Sequence, residues 1–63
     1  MLRVGMAVRV KNPEYARGLV GYLVMQESPS RWLVRVVIPS SIPEEIILSL
    51  EESDFEVIQE NSL

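Results

Sequence analysis

The carboxylates Glu44, Glu45, Glu51, Glu52 and Asp54 fall within one short stretch of a 63-residue chain. Carboxylates so spaced can transfer protons as an acid/base pair or give oxygen ligands to a cation. Acid–base work requires a raised pKa inside a pocket, and this chain has too little mass to enclose a substrate. The sequence contains no Cys and no His. Cys–His and Ser–His nucleophiles and disulfides are therefore excluded, and zinc and haem sites are not expected, because thiolate and imidazole ligands are missing. The acidic run reads as a solvated rim. Gly18 and Gly21 read as turn and bend residues, because no Lys-Ser/Thr pair and no helix follow them as a phosphate loop requires. The expectation is a protein with no catalytic residues, no metal site and no cofactor.

The basic residues Arg9, Lys11, Arg17, Arg31 and Arg35 suggest a different chemistry. Outward positions of one strand and the alternating pair Arg31 and Arg35 of another can share a face, giving a stripe that phosphates would recognise. Charge is divided along the chain: residues 1–38 carry all six basic groups against Glu14 and Glu27, a balance of +4, and residues 39–63 carry −7. The net charge of −3 disfavours nucleic acid, whose attraction is mostly electrostatic. The asymmetry either makes a bipolar surface or disappears once the strands interleave, and interleaving is the expected outcome. A third group is aromatic. Tyr15, Tyr22 and Trp32, with Leu33, have the composition of a partner-binding surface; the alternative is that Trp32 and Tyr22 cap a small core, as Phe55 is expected to do.

The elements that must position these residues are short strands. Apolar and polar residues alternate over Met6–Lys11, and Asn12–Gly18 then forms the longest loop, broken by Pro13. Leu19–Gln26 is a strand apolar on both faces with Gly21 inside it, where a bulge, a bend or close approach of another backbone is expected. After a turn at Glu27–Ser30 comes Arg31–Ile38, then a loop with Pro39 and Pro43, then Glu44–Leu50. A single helical or 3₁₀ turn at Glu51–Asp54 precedes a last strand, Phe55–Ile58, and residues 59–63 are expected to fray. No segment offers three amphipathic turns, so an α/β fold is disfavoured, and an OB-fold generally needs more chain. The fold class is all-β: a single five-stranded, partly open barrel over residues 1–58. Leu23, Met25, Leu33, Val37 and Ile47 exceed what its interior can hold, so either a twin subunit or a larger complex covers an outer apolar face, or these are the scattered exposed apolar residues common on protein surfaces. No apolar run approaches the roughly 18 residues of a membrane helix, and the start of the chain lacks the apolar stretch of a secretory signal. Together with the absence of Cys, this places the chain in the cytoplasm, or on the cytoplasmic or stromal face of a membrane complex, without membrane insertion.

Gly5-x-x-Val8-x-Val10 followed by Arg17-Gly18-Leu19-Val20-Gly21-Tyr22-Leu23 resembles the KOW-type signature. That resemblance covers residues 5–24 and implies an SH3-like barrel, a bending role for Gly21, and RNA or ribosomal partners. Gly5-x-x-Val8-Arg9-Val10, Pro13-Glu14-Tyr15, Val20-Gly21-x-Leu23 and Glu52-Ser53-Asp54-Phe55-Glu56-Val57 also resemble the SH3-like subunit of photosystem I that docks ferredoxin. This second resemblance implies an auxiliary subunit of a cyanobacterial or plastid electron-transfer complex. Two functions thus stand at this stage: an adaptor docking on a larger assembly, or a KOW-type module associated with RNA or ribosomes.

Overall fold

A computed structural model describes residues 1–58. Five strands, β1 (Ala7–Val10), β2 (Val20–Ser28), β3 (Arg31–Ile38), β4 (Glu44–Glu51) and β5 (Phe55–Val57), form one antiparallel sheet in the order β4-β3-β2-β1-β5. The all-β class and the five strands are as the alternation of the sequence predicts. Strand β3 has the expected bounds, and β2 runs two residues further, through Ser28. The sheet is not closed: β4 and β5 lie at its two edges, and no ladder joins them among the described residues. The expected frayed tail, residues 59–63, lies outside the described residues.

The 3₁₀ turn expected before the last strand is present, and the structure adds another. The first is at Glu52–Asp54, before β5, and the second at Glu14–Ala16, inside the long Asn12–Gly18 loop. That loop is held by its own backbone: Ala16 N–H bonds Pro13 C=O, Gly18 N–H bonds Val10 C=O, and Val10 N–H bonds Leu19 C=O. Gly18, with φ of +88°, makes the turn back into β2 in a conformation that costs other residues free energy. Ala16 is thereby tucked into the core.

One face of the sheet carries the core. Val8, Val10, Leu23, Trp32, Val34, Val36, Leu50 and Phe55 are buried, and Ile46 and Leu48 pack against them. Gly21 is buried among them, opposite Val8 on one side and Val36 on the other. A Cβ built there would overlap the Arg35 carbonyl oxygen and come within 3.0 Å of both the Arg35 carbonyl carbon and Val36 Cγ2. Backbone approach, among the roles open to this glycine at the sequence level, is thus the one it has.

Leu23 is a correction to the expected outer face. Simple alternation puts Leu23 and Met25 on the same side, but the β2–β3 register shifts between them: Leu23 pairs with Val34 and Met25 with Leu33. An extra residue on one strand reverses the phase of every side chain beyond it. Leu23 therefore points into the core, 1% exposed, and Met25 points outward, 54% exposed.

Three substitutions check this architecture. Gly21→Ala forces β2 and β3 apart and is expected to cost about 1–3 kcal/mol, the range for an overpacked interior. Leu23→Ala is expected to cost about 2–5 kcal/mol by leaving a cavity under the bulge, whereas Met25→Ala should cost far less. Urea unfolding midpoints measure all three.

Candidate functional site

The outer face of the sheet is the candidate site. Alternation along β3 sends Arg31, Leu33, Arg35 and Val37 to this side, and the registers set their neighbours. Tyr22 and Ile47 flank Arg35, Met25 and Ser49 flank Leu33, and Glu45 faces Val37. Tyr22, Met25 and Ile47 are more than half exposed, Val20 and Val37 are exposed, and Leu33 is half-buried between its neighbours. These side chains make an apolar surface across β2, β3 and β4. Met25, Leu33, Val37 and Ile47 are on it as expected.

The partner-binding residues expected from the sequence divide among three places. Tyr22 and Leu33 lie on the outer face. Tyr15 is 75% exposed on the 3₁₀ turn that follows β1. Trp32 is only 3% exposed on the opposite face of β3, where its Nε1–H donates to Glu52 Oε2 at 3.1 Å. It takes the core role left open for it, and the structure does not assemble one aromatic loop from Tyr15 and Trp32. The rim of the Trp32 ring contributes to an open groove of about 570 Å³ with Met1, Leu2, Gln26, Pro29 and Glu52.

The basic stripe is assembled only in part, and it is neutralised. Arg9, Arg31 and Arg35 occupy the outer face, while Lys11 and Arg17 lie in the loop after β1, where Arg17 Nε–H donates to Lys11 C=O at 3.2 Å. Each outer-face arginine meets a carboxylate from the acidic half: Arg9 with Glu56 at 4.0 Å, Arg35 with Glu45 at 3.9 Å, and Arg31 with Glu51 at 2.7 Å. Arg9 and Glu56, and Arg31 and Glu51, are directly opposed in the register, and Arg35 and Glu45 are diagonal across β3 and β4, so the strand order itself interleaves the two charge blocks. The first two pairs are long and exposed and contribute little stability.

Arg31 is part of a denser cluster. It donates to Ser49 Oγ at 3.2 Å and to the Ser49 carbonyl at 3.3 Å, while Ser30 Oγ–H donates to Glu51 Oε2 and Ser49 Oγ–H to Glu27 Oε1. Glu51 also takes part in a capping box with Asp54 that fixes the second 3₁₀ turn, and Glu52 N–H bonds Ser30 C=O. Glu51, Glu52 and Asp54 thus have identifiable structural work. Among the described residues, no group of three or more carboxylates is placed to hold a metal ion.

Compared with known proteins, the chain matches no family, no curated protein and no solved structure. No helix among the described residues is long and apolar enough to cross a membrane.

The placement of Trp32 has a measurable consequence. Trp32→Ala should destabilise the fold by about 3–5 kcal/mol, as for a buried aromatic, whereas Tyr15→Ala should leave the thermal midpoint nearly unchanged. Differential scanning calorimetry distinguishes the two.

Proposed function

We propose that this chain is a non-enzymatic interaction module, an adaptor or auxiliary subunit that docks on a larger assembly through the outer face of its sheet. The observation that supports this reading is the cluster of exposed apolar side chains on one side of β2, β3 and β4: Val20, Tyr22, Met25, Val37 and Ile47, with Leu33 among them. A contiguous apolar surface in contact with water is costly, and on soluble domains it marks an interaction site. Its composition is apt: Tyr, Met and Arg are enriched in interface centres, and Arg35 lies between Tyr22 and Ile47, where its methylenes add to the apolar surface. The host class implied by the resemblance to SH3-like subunits is an electron-transfer complex of the cyanobacterial or plastid kind.

The KOW-type RNA reading draws on Lys11 and Arg17, which have no carboxylate partner among the described residues. Against it, the other three basic side chains of the stripe are already paired, so few cations remain to displace counterions from a phosphate backbone.

Purification of the tagged protein from its native host at low salt, in nuclease-treated and untreated halves, tests both readings. The adaptor reading expects one stoichiometric protein complex in both halves, absent when Leu33→Glu or Tyr22→Glu is the bait. A complex retained by both variants would remove the outer face from consideration. Ribosomal or RNA components lost on nuclease treatment, and weakened by Arg17→Glu, would establish the RNA reading in its place.

A further inference from the structure

The two edges of the sheet are unlike. Strand β5 is three residues long, as protected edges often are. Strand β4 is eight residues long, has no Pro or Lys, and pairs with β3 from Glu44 to Glu51 without a bulge. No strand lies beyond it among the described residues. A long, regular edge of this kind is a template for another strand.

The backbone bonds show what that edge offers. Leu23 N–H bonds Met6 C=O and Val10 N–H bonds Leu19 C=O, so the odd residues of β2 turn their main chain to β1 and Tyr22 turns its own to Arg35. Carried through the β3–β4 register, the same alternation joins Val34 to Leu48 and Val36 to Ile46 by hydrogen bonds. Glu45, Ile47 and Ser49 therefore direct their N–H and C=O groups away from β3. Ser49 C=O accepts from Arg31, and the other groups are left for a further strand. The core side of this edge is also unfinished. Leu50 is 4% exposed, whereas Ile46 and Leu48, on the same face, are only half-buried. Apolar side chains of a strand beyond β4 would cover both.

The charges of β4 select the strand. Glu44 and Glu45 stand at one end and Glu51, followed by Glu52, at the other, and β4 carries no cation. Glu27 joins them through Ser49, and only Arg31 and Arg35 oppose the group. Arg31 is already bound to Glu51 and Ser49, Arg35 lies 3.9 Å from Glu45, and Glu44 has no cationic partner among the described residues. The edge is thus net negative. Two β4 edges would bring together glutamates with no cation on either strand, so a second copy is repelled and an acidic strand likewise. A cationic strand is attracted at both ends.

We propose that the β4 edge takes up an extended segment of a partner protein, basic at its two ends and aliphatic at alternate positions between them, as an added strand of the sheet. This goes beyond the proposed function, which uses the face of the sheet and leaves its edge without a partner. Main-chain bonds to Glu45, Ile47 and Ser49 hold the segment extended, and its aliphatic side chains close over Ile46 and Leu48. Lys or Arg beside Glu44 and Glu45 at one end, and beside Glu27 and Glu51 at the other, distinguishes it from neutral and acidic strands.

Titration of the full chain with the peptide Lys-Arg-Val-Thr-Val-Thr-Val-Arg-Lys, followed by amide NMR shifts and hydrogen exchange, tests the proposal. The control is the same peptide with Glu in place of every Lys and Arg. The basic peptide is expected to protect the Ile47 and Ser49 amides, and to lose about tenfold in affinity when Glu44→Lys and Glu45→Lys are combined. The Glu peptide is expected not to bind. Tyr22→Glu, on the outer face, should take up the basic peptide as the wild type does. Absence of binding by the basic peptide overturns the proposal, as does equal binding by the Glu peptide. Binding that shifts Tyr22 and Leu33 without protecting Ile47 and Ser49 overturns it too, because the peptide would then lie on the face. Protection of the same amides in the free chain, rising with its concentration, would give the edge to a second copy and overturn it likewise. Tyr22→Glu and Leu33→Glu disrupt the docking face without touching the main chain of the edge, so failure of either reading leaves the other standing.

Discussion

Much of this structure depends on the approach of β2 to the Arg35 carbonyl at Gly21. Among the described residues, β2 is the only strand that joins β1, and through it β5, to β3 and β4. At Gly21 it is paired on both sides, with Val8 and with Val36. Any side chain there would displace the Arg35 backbone, and with it the ladder that aligns β3 with its neighbours. A domain of this size buries only about 60% of the surface its unfolded chain exposes, so it has few core contacts with which to absorb such a displacement. The absence of one methyl group is what lets Val8, Val36 and Leu23 close on a common interior.

Two residues further on, the bulge of β2 decides how the apolar side chains are distributed. Before it, Gly21 and Leu23 face the core; after it, Met25 faces out beside Leu33. The inner face is thereby filled by residues of all five strands, while Tyr22, Met25, Val37 and Ile47 are left on the other side in contact with water. The apolar surface follows from the arithmetic of a small domain: two-sided apolar strands supply more hydrophobic side chains than one interior can hold. That surplus is the physical basis of the proposed docking role.

The electrostatics follow from strand order. The chain divides its charges into a basic first part and an acidic second part, but β1 pairs with β5 and β3 with β4, so each pairing brings one block against the other. Arg9, Arg31 and Arg35 thereby gain Glu56, Glu51 and Glu45. What reads along the sequence as a dipole becomes a mixed surface, with Lys11 and Arg17 outside the pairing among the described residues. The Arg31 cluster is the most ordered part of it and ties β3, β4 and the second 3₁₀ turn together at one end of the sheet.

The sequence by itself determined the all-β class, the number and near-bounds of the strands, the positive φ of Gly18 and the core role of Phe55. All of these follow from alternation, turn chemistry and conformational freedom, which act over a few residues. It also left Trp32 between core and surface, and Gly21 between bulge, bend and backbone approach, because both depend on what lies across the strand. Only the tertiary structure decided that Leu23 is buried and Met25 exposed, since a register shift is a relation between two strands and leaves no periodic trace in one. The same holds for the ion pairs and for the place of β4 at the edge of the sheet among the described residues. Which carboxylate meets which arginine, and which strand is left without a neighbour, are set by the order of strands in the sheet, and no local pattern encodes that order.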